Sequence, residues 1–126
     1  GAGNDYLNGG SDNDTITGGL GADNVVFDLL NASDATGGNG VDTWTDFSLS
    51  QGDIIDISEL LGDEVTGYNL DQYVSLNYDE AAQSITVKID RDGTGDIYNS
   101  TNLLILTNQR EDITMDELLM NKSIIF

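Results

Sequence analysis

The stretch "GGSDNDTITGGLGADNVVF", residues 9–27, sets glycine pairs, a recurring aspartate and an apolar residue at fixed intervals. Aligned on the aspartate, the chain opens with three units: "GAGNDYLN" (1–8), "GGSDNDTIT" (9–17) and "GGLGADNVV" (18–26). Asp5, Asp14 and Asp23 stand nine residues apart, and so do Leu7, Ile16 and Val25. The first unit lacks its leading glycine, as a segment cut from a longer array would. A fourth unit, "GGNGVDTWT" (37–45), follows the insertion at 27–36, with Gly37, Gly38, Gly40, Asp42 and Trp44 in the same slots. Such a fixed period marks a chain built by stacking short, similar units.

The chemistry of the unit follows from its letters. Paired glycines are expected to take positive φ and turn carbonyls into the loop. The aspartate adds a carboxylate, and the next three residues form a short strand with one apolar side chain pointing inward. Two units close one coil, so units one and three stack, with strands about 4.8 Å apart. A hard cation with oxygen ligands at about 2.3–2.6 Å fits between stacked loops, and calcium tolerates such irregular, carbonyl-rich cages better than magnesium. The candidate metal positions are Gly1, Gly3 and Asp5; Gly10, Asp12 and Asp14; Gly19, Gly21 and Asp23; and Gly38, Gly40 and Asp42. Several calcium ions are expected, one shared by Asp5 and Asp23, with Asp42 the stacked partner of Asp14. Asp12 replaces the glycine of the fourth slot, which unsettles that loop. Asp46 and Asp53 flank the following turn and fit metal binding or turn capping equally.

Energetics explain why aspartate and aliphatic recur together. Each fully buried aliphatic contributes roughly 1.5–3 kcal/mol, whereas ordering one residue's backbone costs about 1–2 kcal/mol. One aliphatic per nine residues leaves a deficit that metal must offset, so binding and folding are expected to be one event.

Composition agrees. The net charge is −19, and all four basic residues (Lys88, Arg91, Arg110, Lys122) fall in the last 39 positions. Residues 1–87 hold 16 acids and no base, which argues against nucleic acid or an anionic membrane as partner. Asp outnumbers Glu 18 to 5, Pro is absent and aromatics sit inside apolar runs such as "YVSLNY". That is unlike an acidic disordered tail and suits turns and hard-cation sites. Without Cys or His, disulfides, thiolate zinc sites and imidazole catalysis are excluded. No run is long enough for a membrane span, and no leader is visible.

Past residue 45 the texture changes. A short strand is expected around Ile54–Ile57, a hairpin from "YVSLNYD" (73–79) and "SITVKID" (84–90), and a strand at "TNLLILT" (101–107). "DRDGTGD" (90–96) lacks the third-position acid and the twelfth-position Glu of an EF-hand loop, where Thr101 stands. It reads as a polar hairpin loop or a lone accessory calcium site through Asp90, Asp92 or Asp96. Trp44 is expected in the core rather than as a sugar platform. In "ITMDELLMN", Thr114 and Glu117 form a capping box, with Ile113 and Leu118 as hydrophobic staple, for a helix at 115–120.

The nonapeptides resemble the RTX family and its parallel β-roll. The continuation, from "GVDTWTDF" and "GDIIDISELL" to "TMDELLMNKSIIF", resembles the C-terminal target domain of type I secreted RTX proteins, such as large bacterial surface adhesins. The resemblance implies an all-β domain: a short calcium-binding parallel β-roll continuous with a small antiparallel β-region and one short C-terminal helix. One domain is expected over 1–126, with roll repeats at 1–47, the β-region at 48–110, and helix plus apolar tail at 111–126. It also implies an export signal including Leu118, Leu119, Ile124, Ile125 and Phe126. The partners would be an ABC transporter, a membrane-fusion protein and an outer-membrane channel, the destination secretion or the bacterial cell surface. Neither H-E-x-x-H nor G-x-S-x-G occurs, so no enzyme is expected; the rival reading is a calcium-stabilised module contacting glycan or another surface ligand.

Overall fold

In the computed structural model, the described residues are 2–10, 12–27, 40–61, 65–66, 68–93, 100–109 and 113–126. The expectations for Gly1, Gly38, Asp96 and the insertion beyond Phe27 lie outside them. Each repeat contributes one short strand after its glycine loop: β1 (Tyr6–Leu7), β2 (Thr15–Ile16), β3 (Asn24–Val26) and β4 (Asp42–Trp44). Then follow β5 (Ile54–Asp56), β6 (Val74–Asp79), β7 (Ser84–Ile89), β8 (Thr101–Leu106), the helix α1 (Met115–Met120) and β9 (Ile124–Ile125). Among the described residues the regular structure is mostly strand, with one short α-helix.

The strands sort into two sheets, ordered β1-β3-β5-β9 and β2-β4-β8-β7-β6. Successive repeats therefore alternate between sheets, and units one and three are neighbours, as their spacing required. The first sheet is parallel throughout. In the second, β2, β4 and β8 are parallel and β8, β7 and β6 antiparallel.

The register carries the apolar slots into rows. Leu7 pairs with Val25, Val25 with Ile55 and Ile55 with Ile124. In the other sheet Ile16 pairs with Trp44, Trp44 with Leu106 and Leu106 with Ile85. All of these but Leu7 are buried. Trp44 is fully buried, its ring edge-on to Phe47 at 5.0 Å between centroids; it is a core residue. The aliphatic row of the repeats is thus completed by residues that lie far outside them.

The hairpin β6–β7 and strand β8 form where alternating and β-branched sequence called for them. Helix α1 starts at the expected cap: the Glu117 amide donates to Thr114 Oγ1 at 3.2 Å and the Thr114 amide to Glu117 Oε1 at 3.4 Å. Ile113 and Leu118 are both buried in the core. After α1, the chain returns to the first sheet, where the Ile55 amide donates to Ser123 O (2.7 Å) and the Ile57 amide to Ile125 O (2.9 Å). The three segments expected at 1–47, 48–110 and 111–126 all contribute strands to this framework. Only the first and last edge strands of the first sheet come from the two ends of the chain.

Candidate metal centre

The loops preceding the strands stack along two sides of the framework. On one side lie residues 2–5, 18–23 and 46–53; on the other lie 9–10, 12–14 and 40–42. Parallel stacking places equivalent aspartates one rung apart, and each reaches back to the rung before it. The Asp5 amide donates to Asp23 Oδ1 at 2.9 Å, and the Asp23 amide to Asp53 Oδ1 at 3.0 Å. The Asp14 amide donates to Asp42 Oδ1 at 2.9 Å. Asp42 is therefore the rung partner of Asp14, across 28 residues. Asp53 continues the ladder of Asp5 and Asp23 although no nonapeptide surrounds it.

The glycines divide into two kinds. Gly3, Gly21 and Gly40 in the fourth slot, and Gly10 and Gly19 in the second, take positive φ between 75° and 114°. Asp12, which replaces a fourth-slot glycine, adopts the same conformation at φ 74°; the loop keeps its shape at the cost of a strained non-glycine residue. Its side chain is exposed, so Asp12 enters the loop through its backbone. Gly9 and Gly18, in the first slot, are not at positive φ, contrary to what pairing suggested. Their role is space: a Cβ on Gly9 would sit 2.7 Å from Asp14 Oδ2, and one on Gly18 would overlap Asp23 Oδ2. Likewise, a Cβ at Gly21 would meet Gly3 O, and one at Gly40 would meet Asp12 O. Carboxylate and carbonyl oxygens are thus pressed into a channel that only glycine leaves open.

Two oxygens in that channel lack protein partners. Asp23 Oδ2 and Asp14 Oδ2 are both buried with no hydrogen bond among the described residues. Asp23 is 1% exposed. An unpaired buried carboxylate oxygen is costly unless a cation meets it, so these residues fit a divalent ion. No three acidic side chains converge among the described residues, so backbone carbonyls would have to complete any cage, which suits calcium.

Burial pushes the Asp42 carboxyl up to about 6, against the lowering effect of the Asp14 amide and with the Asp14 charge adding to the rise. Burial also raises Asp53, opposed by the amides of Asp23 and Ser48. Elsewhere, burial raises Asp90, with Asp92 beside it.

Asp46 and Asp53 differ from Asp14 and Asp23 in having both carboxylate oxygens engaged by donors. Asp46 accepts from the Gly18 amide (3.0 Å) and Trp44 Nε1 (2.9 Å) on Oδ1, and from the Gly19 amide (2.7 Å) on Oδ2. Asp53 accepts from Asp23 on Oδ1 and from the Ser48 amide at 2.8 Å on Oδ2. Asp53 thus caps the turn that follows Ser48, whereas Asp46 ties Trp44 to the Gly18–Gly19 turn of the stacked loop.

A set of amides was missed from sequence. Asn4 Oδ1 accepts from the Ala22 amide and Asn13 Oδ1 from the Val41 amide, at 2.9 and 2.8 Å. Gln51 Oε1 accepts from the Gly21 amide at 2.9 Å. Asn before Asp in units one and two was the available signal; Gln51 offered none.

Of the tail residues, Leu118 and Ile124 are buried, Leu119 and Phe126 lean on the core, and Ile125 is 38% exposed. Among the described residues no helix is long and apolar enough to cross a membrane.

Comparison with known proteins bears on the same loops. Curated proteins give no match to the chain. Residues 1–29 match the family model of the RTX calcium-binding nonapeptide repeat (4 copies). The first part of the chain, with the loops that carry Asp5, Asp14 and Asp23, is an RTX calcium-binding repeat segment.

Proposed function

We propose that this chain is a calcium-dependent folding module of a type I secreted RTX protein, its stacked loops and parallel ladders forming a short calcium β-roll. The observation that carries the reading is the buried, unpartnered Oδ2 of Asp23, repeated less deeply at Asp14, in loops of a calcium-binding repeat. Asp5 and Asp23 would hold one ion and Asp14 and Asp42 another, with carbonyls of the glycine loops completing each shell. Asp46 and Asp53 would close the ladder. In this reading the chain performs no reaction; the ion supplies charge neutralisation and cross-links rungs.

The function follows from electrostatics. Where calcium is scarce, 16 carboxylates without a base over residues 1–87 repel one another and keep that part extended. Where calcium is abundant, the loops are neutralised and the coils close. An export route read at the C-terminal tail, through an ABC transporter and its outer-membrane channel, would use this difference: threadable inside, folded outside. Folding would then oppose backsliding. Leu118 and Ile124, buried once folded, would be readable only before folding. The parent would be a secreted or surface protein, such as an adhesin.

Far-UV circular dichroism with thermal melts, in chelator and across micromolar to millimolar calcium with magnesium as control, tests the calcium step. A calcium-specific gain of β-signal is expected; a calcium-indifferent fold would overturn it. Export of an unrelated passenger fused to this chain tests the address.

A further inference from the structure

Four strands are sheet edges: β1, β9, β2 and β6. The first three are two residues long, whereas β6 runs for six, from Val74 to Asp79. Among the described residues no strand pairs with its outer side. Long open edges are usually guarded by Lys, Pro or a bulge. Residues 74–79 contain neither Lys nor Pro, and β6 pairs with β7 without a register shift.

Beside the start of this edge, two cavities of about 290 Å³ each share Asp71, Thr114 and Met115. They are walled by apolar side chains of β6 and α1, including Leu76 and Leu119. Tyr68, fully exposed, stands at one end. The ionisable carboxylates lining the groove are Asp71 and Asp116, and neither cavity is lined by Lys or Arg. The far end of the strand adds Asp79 and the adjoining Glu80, both exposed.

Charge selects the occupant. A second copy would bring another net −19 to this acidic edge and be repelled. A cationic segment would be drawn to the same place, and one alternating apolar and basic residues would match both groove and edge. We propose that β6 and the adjoining groove bind an extended segment of another protein in which apolar residues alternate with Lys or Arg. The segment adds as a further strand: backbone hydrogen bonds to β6 supply affinity, and apolar side chains in the groove with a cation near Asp71 and Asp116 supply selectivity.

The test uses the whole chain in millimolar calcium and physiological salt, with an acetylated, amidated peptide alternating Val and Lys over eight residues. Saturable one-to-one binding is expected, with amide shift changes over residues 74–79 and 113–119. Placing Pro at the centre of the peptide should weaken binding at least tenfold by removing a strand hydrogen bond. The double substitution Asp71→Lys and Asp116→Lys, on exposed positions and checked for unchanged circular dichroism, should do the same. Equal binding of the Pro peptide, or shift changes at the glycine loops instead, overturns the proposal. Sedimentation showing a dimer with shift changes on β6 overturns it too, by assigning the edge to a second copy.

Discussion

Gly18→Ala separates a metal role for Asp23 from a structural one. Gly18 is not in the left-handed region, so alanine meets no backbone penalty there. The added Cβ instead overlaps Asp23 Oδ2, the oxygen without a protein partner, and stands 3.0 Å from Asp23 Cβ. Relieving the overlap costs about 1–3 kcal/mol, as for other overpacked sites, and does so with or without metal. The shift that relieves it also moves the carboxylate out of the channel. If calcium at a hundred times its dissociation constant stabilises the folded state by about 2.7 kcal/mol, that term is lost as well. The variant should therefore lose about 1–3 kcal/mol in chelator and about 4–6 kcal/mol in saturating calcium. Urea melts in both conditions read the two numbers. Should the chelated protein lack a transition, the calcium midpoint of folding carries the same information, and it should rise. Gly9→Ala provides the milder control, since its Cβ would stand 2.7 Å from Asp14 Oδ2. Equal losses with and without calcium would refute the argument, because the carboxylate would then be a packing element only.

Further outcomes can be checked independently. Trp44→Ala removes a fully buried ring from the junction of β2, β4 and β8 and should cost about 3–5 kcal/mol by denaturant melt. Thr114→Ala breaks an exposed capping box with bonds of 3.2 and 3.4 Å, and should cost only about 0.5–1 kcal/mol. Deleting residues 123–126 removes buried Ile124 and the two bonds from the Ile55 and Ile57 amides, and should cost about 3–5 kcal/mol; an unchanged melt would show that β9 is not docked in solution. Burial raises the Asp42 carboxyl from 3.8 to about 6 in the fold, so between about pH 4 and 6 the metal-free fold holds a proton that the unfolded chain has released. Its stability contribution from this group is full below about pH 4 and is lost as pH rises through about 6. Calcium needs the carboxylate, so the calcium midpoint should rise on acidification from pH 7.5 to 5, as titrations at the two pH values would show.

The repeat period by itself determined which residues stack on neighbouring rungs. Each unit supplies one turn and one strand, so successive units fall on opposite sheets, and Asp5 with Asp23, or Leu7 with Val25, had to meet once two units closed a coil. The helix start at Thr114 was equally local, since a capping box satisfies donors within one turn. The roles of individual glycines were only half legible: position showed that glycine was needed, but not that Gly9 and Gly18 leave room for a carboxylate while Gly10 and Gly21 bend the backbone. Only tertiary structure chose Asp53 as the rung beyond Asp23, β8 as the neighbour of β4, and β9 as the neighbour of β5. Nothing near Leu104 or Ile124 in sequence names a partner; those pairings follow from burying apolar rows that the repeats expose and cannot cover alone. A periodic sequence fixes its own register through local spacing, whereas its closure depends on long-range burial that no local pattern encodes.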